Sequence, residues 1–264
     1  MLAALIVDLH TGVAQVEGVL ITREGREIRG ILQWKGAQGV YEIQQPGSSA
    51  TTTLTADKVK RVMTRPPPEL EEAKRNVQSG RHLDAIPVLK RIASLYIRLE
   101  HDVVATRWLA EAYQKSGDLK SAVAVCEKLM KENPACMASE EFVSVYGDKL
   151  ILDKQYVKAK DIFTRIIEQG DHAAAAVAQI KRADMDMANG NVKEALVNGY
   201  LRTALLFGDV KQLQPEALYK AALCFEKLGQ TPEAEKMRRQ LLADYPQDPF
   251  AAKARSSTPA GATP

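Results

Sequence analysis

Asp184 and Asp186 are the nearest approach to an acid–base pair in this sequence. General acid–base chemistry needs two carboxylates converging on one reacting centre in different environments. These two flank Met185 on a predicted helix, and residues two apart do not share a helix face. The four histidines, His10, His82, His101 and His172, fall at loops and helix ends, and none stands in a recognisable motif with a Cys or Ser. GxxxxGK[ST], HExxH and GxSxG are all absent, so no phosphate cradle, zinc-protease helix or nucleophile elbow is encoded. Cys126, Cys136 and Cys224 form no CxxC, have no His at ligand spacing, and are odd in number, which gives no disulfide framework. Cys126 and Cys224 fall on apolar helix faces and read as small core residues. The expectation is a protein with no catalytic residues, no metal and no cofactor.

The remaining order in the chain is periodic. Gly80-Arg-His-Leu-Asp-Ala85 recurs as Gly117-Asp-Leu-Lys-Ser-Ala122, Lys154-Gln-Tyr-Val-Lys-Ala159, Gly190-Asn-Val-Lys-Glu-Ala195 and Gly229-Gln-Thr-Pro-Glu-Ala234. The alanines return every 36 to 39 residues. A fixed period of that size means stacked supersecondary units rather than one closed globule. Composition agrees: 45% apolar with only 6% aromatic residues suits close-packed helices. Charge is dispersed. Residues 1–65 hold 8 Lys/Arg against 6 Asp/Glu, the rest 28 against 27, and neither part has the dense basic face of a nucleic-acid binder. No run of 18 apolar residues exists to span a membrane.

The units read as helix hairpins. In the second, residues 105–116 form a helix, Gly117-Asp118 a turn, 119–130 a second helix, and Asn133-Pro134 a stop. Leu109, Ala110, Tyr113, Gly117, Ala122, Cys126, Leu129 and Pro134 resemble the tetratricopeptide repeat (TPR) in order and spacing. Ala221, Ala222, Phe225, Gly229, Ala234, Leu241 and Pro246 do so in the fifth. The others are degenerate: Lys154 stands where the turn glycine belongs, and Gly199 where a bulky residue is usual. The ending 241–255, LLADYPQDPFAAKAR, resembles repeats of bacterial envelope proteins such as the Tol–Pal-associated one, which implies a periplasmic or envelope setting, with the cytoplasm as the alternative.

Ahead of the repeats, residues 16–65 read as short strands parted by turns at Gly25, 35–39 and 46–49, a small SH3-like or Sm-like β-barrel. Pro66-Pro67-Pro68 then forms a stiff linker. The expected organisation is therefore an N-terminal extension or signal remnant over 1–15, the β domain over 16–65, the proline linker, a mainly α TPR-like solenoid of about five hairpins over 69–255, and a disordered tail over 256–264. Arg23, Arg26, Arg29, Lys35, Trp34 and Tyr41 offer the barrel cations and stacking rings for RNA, but Glu24, Glu27 and Glu42 interleave with them.

The resemblance also implies a concave groove lined by the first helix of each hairpin. Eleven residues before each alanine stand Lys74, Glu111, Asp148, Asp184 and Leu223, which puts three acids in successive repeats. Arg107, Trp108, Lys181, Tyr219 and Lys220 flank them. The expectation is a peptide-binding groove with Trp108 and Tyr219 as anchors, whose acids suit a neutral or basic segment and repel a C-terminal carboxylate. The function that follows is a non-enzymatic interaction scaffold. The alternatives are an RNA-associated protein acting through the barrel, or an accessory subunit of an enzyme complex.

Overall fold

The computed structural model describes residues 6–7, 14–47 and 49–256. The extension expected over 1–15 and the tail expected over 256–264 lie almost wholly outside the described residues. The chain divides into two compact units, Met1–Cys136 and Met137–Pro264.

The first unit opens with an antiparallel sheet of β1 (Ile6–Val7), β2 (Ala14–Thr22), β3 (Glu27–Lys35), β4 (Val40–Gln44) and β5 (Thr51–Thr55) in spatial order. A 3-10 turn at Ala56–Lys58 leads into β6 (Val59–Thr64), which returns to pair with β2. Register places Val16 opposite Leu32, Leu20 opposite Ile28, Leu32 opposite Ile43 and Trp34 opposite Tyr41, so these side chains share one buried face. Gly18 faces Gly30 across β2 and β3. A Cβ on Gly30 would stand 2.3 Å from the Gln44 carbonyl oxygen, and one on Gly18 2.6 Å from that of Met63. Only glycine admits backbones that close. Among the described residues β5 and β6 do not pair with each other. The closed barrel expected from the sequence is therefore an open sheet, because β6 pairs with β2 and leaves β5 as an edge.

The prolines do not separate two compact bodies. Pro67 is buried and its carbonyl accepts the Leu70 N–H at 3.0 Å, while Pro68 opens α1 (Pro68–Gln78) at a position where its missing N–H costs nothing. After α1 come α2 (His82–Leu95), α3 (Asp102–Lys115) and α4 (Leu119–Glu132). One core runs from Leu20, Leu32 and Ile43 of the sheet to Leu70, Leu89 and Leu109 of the helices. Tyr96 and Leu99, at the junction between α2 and α3, belong to it.

That junction is a dense polar node. Arg98 and Glu100 take positive φ of 56° and 81° without being glycine. Their neighbours hold them there. The Tyr41 hydroxyl donates to the Arg98 carbonyl (3.2 Å), and the Arg98 guanidinium lies 4.6 Å from the Trp34 ring centroid. Thr64 donates its N–H to Glu100 (2.9 Å) and its hydroxyl to the Leu99 carbonyl (2.8 Å). Asp102, 1% exposed, accepts from the Arg98 N–H (2.9 Å), the Val103 N–H (2.9 Å) and Asn133 Nδ2 (2.8 Å). Arg98 Nε donates to the Glu132 carbonyl (2.9 Å). The sheet, the α2–α3 junction and the end of α4 are thus tied by groups from sequence-distant segments.

The second unit holds α5 (Glu140–Leu152), α6 (Tyr156–Gln169), α7 (His172–Ala188), α8 (Val192–Ala195), a π-helical turn (Leu196–Tyr200), α9 (Leu201–Leu206), α10 (Gln214–Lys227), α11 (Thr231–Asp244) and α12 (Pro249–Ser256). Lys154 adopts the left-handed φ of 57° that glycine takes at the corresponding turns. Gly199 lies within the π turn, where a Cβ would stand 2.2 Å from Ala183 Cβ. The bulky residue usual there is excluded because α7 passes too close. α12 caps the array by burying Ala251 and Ala254 against Leu218 and Leu241. The five repeat alanines, Ala85, Ala122, Ala159, Ala195 and Ala234, are all 0% exposed.

Gly199→Ala should lower stability by about 1–3 kcal/mol through overpacking against Ala183, read from the urea unfolding midpoint at unchanged slope. Asp102 gives a pH signature. Burial raises its pKa above the usual carboxylate value, outweighing the hydrogen bonds from Arg98, Asn133 and Val103. The folded state then holds this proton more tightly than the unfolded chain. Its stabilising contribution is complete below the ordinary carboxylate pKa of about 4 and is lost as pH rises through the raised folded value. Wild-type stability should therefore fall relative to Asp102→Asn across that window, in urea titrations at stepped pH; a difference independent of pH contradicts it.

Candidate partner-binding face

The residues singled out from the sequence divide between the two units. In the first, α3 carries Arg107, Trp108 and Glu111, all half-buried. Trp108 packs on the margin of the core, so only part of its indole can meet a ligand. Glu111 pairs with Lys115 one turn on at 3.5 Å, and Lys74 on α1 pairs with Glu71 at 2.6 Å. Such exposed pairs within a helix contribute only tenths of a kcal/mol and can re-pair with a ligand.

In the second unit the sequence-expected residues converge into one network. Lys181 of α7 reaches Asp148 of α5 at 2.6 Å and lies 4.0 Å from Asp184. Lys220 of α10 reaches Asp184 at 2.6 Å and Glu216 at 2.6 Å. The Tyr200 hydroxyl, delivered by the π turn, donates to Asp184 at 2.7 Å. Five ions alternate in sign across the first helices of three successive hairpins. Burial disfavours the Lys220 ammonium, yet the carboxylates of Asp184 and Glu216 outweigh it and raise its pKa. Burial, followed by the Asp184 carboxylate, raises the Tyr200 phenol above its ordinary value and keeps it a donor. Lys181 and Asp184 are only 11% and 19% exposed at their side chains, so water screens this network less than a surface pair.

The structure therefore changes the meaning of the acid ladder. Asp148 and Asp184 are neutralised by lysines of the same unit, and the network braces α5, α7 and α10 against one another. Tyr219, expected as an anchor, turns its ring to Phe250 of α12 at a centroid distance of 5.5 Å. Glu216 was not singled out from sequence, although its position four residues before Lys220 carries the signal of a helical ion pair. Arg98, Asp102 and Asn133 were also missed as a group, and their spacing gives no sign that they meet.

No acid–base or nucleophilic constellation emerges among the described residues, and no group of three or more His, Cys, Asp or Glu there could hold a metal. Burial pushes the Cys136 thiol up to about 12 and the Cys224 thiol to about 11, so neither supplies a thiolate at neutral pH. The barrel rings offered for RNA stacking are internal. Trp34 and Tyr41 are each 6% exposed, pack on each other at 4.7 Å, and the former carries Arg98. No helix among the described residues is long and apolar enough to cross a membrane.

Paired helices with turn glycines and buried repeat alanines define a helical-repeat fold. The tetratricopeptide repeat family model matches residues 107–135 and 216–248. They are the second and fifth units, the two best formed by sequence. Among solved structures, nearly identical TPR-like repeats of a Podosopora anserina protein described as a kinesin light chain align over 72% of this chain and 95% of theirs, at 18% identity and a TM-score of 0.51. A second structure of those repeats gives 72%, 96%, 18% and 0.50. MamA (41-end) from Desulfovibrio magneticus RS-1 aligns over 69% of this chain and 98% of its own, at 15% identity and a TM-score of 0.46. At these identities the first two share the fold and nothing further is carried over. No curated protein matches the sequence.

Asp184→Ala removes the acceptor shared by Lys220 and Tyr200 and the carboxylate 4.0 Å from Lys181, so that Lys181 keeps only Asp148 and Lys220 only Glu216. It should cost roughly 2–3 kcal/mol in urea unfolding, less than the 3–5 typical of a fully buried pair because solvent reaches the network.

Proposed function

We propose that this chain is a non-enzymatic scaffold that captures a protein segment along the first-helix face of its repeats, in a bacterial envelope setting. The observation that carries the reading is the match of two stretches to the tetratricopeptide repeat model within an array of paired helices. Repeats of this kind present extended surfaces rather than pockets. The envelope setting rests on the resemblance of the last repeat to bacterial envelope repeats.

The face on α3 is the better contact region. Arg107, Trp108 and Glu111 are half-exposed there, whereas in the second unit Asp148 and Asp184 already serve the ion network. Both signs occur within one turn of α3, which suits a segment of mixed charge with an apolar residue to cover Trp108. This differs from the neutral or basic ligand that an unpaired acid ladder would select. The barrel-directed RNA reading loses its stacking rings to the core, and its remaining cations alternate with acids.

A photo-crosslinking amino acid at Glu111 should trap a protein partner in source-cell extract, while the same group at Lys128, exposed on α4, should not. Equal trapping from both positions, or from neither, removes the first-helix face as the binding surface.

A further inference from the structure

The two outer edges of the sheet differ in how they are protected. An edge strand presents unpaired N–H and C=O groups and invites another strand, and proteins discourage this with lysine, proline or bulges. β6 follows the rule. It carries Lys60 and Arg61, both exposed, with Lys58 just before it and Arg65 just after. Its pairing with β2 is also irregular at Ile21 and Thr22. β5 does not follow the rule. Its sequence is Thr-Thr-Thr-Leu-Thr, without charge, proline or glycine. It pairs with β4 in unbroken register from Thr51 opposite Gln44 to Thr55 opposite Val40. Among the described residues no strand lies on its other side. Thr51, Thr52, Thr53 and Thr55 are exposed, and Leu54 is half-buried.

We propose that β5 is a self-association edge, pairing antiparallel with β5 of a second copy about a two-fold axis at Thr53. The composition of the strand selects that occupant. In this register Thr53 faces Thr53, Thr51 faces Thr55 and Thr52 faces Leu54, so every facing pair includes a β-branched threonine and no like charges oppose each other. A two-fold contact requires a self-complementary patch, and a neutral threonine strand centred on its own midpoint is one. The β6 edge paired with itself would oppose cations instead. Alternate residues of β5 direct their backbone groups away from β4, so the seam gains about four to six main-chain hydrogen bonds. Glu42, beside Thr53 on β4, would lie three strand spacings from its counterpart, about 14 Å, beyond the Debye length of about 8 Å at physiological salt. The joined sheets place two repeat arrays in one assembly, which raises the avidity for any partner carrying two copies of the bound segment.

Sedimentation velocity of the full chain over a concentration series should show a monomer–dimer equilibrium. Thr53→Lys sets two ammonium groups at the axis and should weaken the dimer at least tenfold. Met63→Lys on β6 is the control and should leave it unchanged. Thr53→Cys provides a geometric check. Directly opposed antiparallel residues have Cα atoms about 4.5–5.5 Å apart, within the range a disulfide spans. Mild oxidation should then give a covalent dimer from Thr53→Cys and none from Lys60→Cys. A wild-type monomer at all concentrations overturns the proposal. So does a dimer indifferent to Thr53→Lys, which would place the contact elsewhere, and so does a chain that extends its sheet only on addition of a threonine-rich peptide. Circular dichroism of each variant separates loss of association from loss of fold.

Discussion

The architecture depends on one steric constraint, the approach of helices at a residue small enough to permit it. Each repeat meets the constraint with an alanine that solvent does not reach. A larger side chain there would push the helices apart and open a cavity along the whole contact. Burial of a methyl group contributes little by itself, on the order of 1 kcal/mol, but it sets the distance at which every neighbouring leucine, valine and aromatic residue packs. Gly147 and Gly199 extend the same rule. A Cβ on Gly147 would stand 2.8 Å from the Phe163 ring, and one on Gly199 would collide with Ala183. The fourth repeat departs from the family pattern at Gly199 because α7 passes that close, whereas the third departs at Lys154, which takes the turn glycine's left-handed conformation.

Much of this order was legible in the sequence because it is local and periodic. The five alanines, the turn glycines and the strand runs are short-range signals, and all the strands from β2 to β6 occur near their expected positions. The sheet's openness was not legible, since strand propensity does not say whether β6 meets β5. Nor was the fusion of the sheet with the first two hairpins. Three prolines in a row read as a spacer, but Pro68 starts a helix, and Tyr96 and Leu99 belong to the same core as the sheet. Those are tertiary facts carried by residues far apart in the chain.

The candidate surface shows the same division. Register alone put Asp148, Lys181, Asp184 and Lys220 on related faces, and the structure brings those four into contact. Register could not say that the lysines would turn to the acids rather than to solvent. That outcome depends on side-chain reach and on partial burial, which strengthens Coulombic pairing against water. Tyr219 shows a related effect: the capping helix α12 supplies Phe250, which packs against that ring. The node around Asp102 had no local signature, and two of its residues adopt backbone conformations that their types disfavour.

The π turn at Leu196–Tyr200 has a bearing on the length of the repeat. The interval from Ala195 to Ala234 is the longest of the four, and it contains that turn. A widened turn accommodates a surplus residue inside a helix without rotating the flanking segments off their packing face. Spare length in this chain is thus absorbed inside an element and not only in the connecting loops. In this second helix a surplus residue is taken up without loss of the packing face, where a strictly α-helical segment would lose its register.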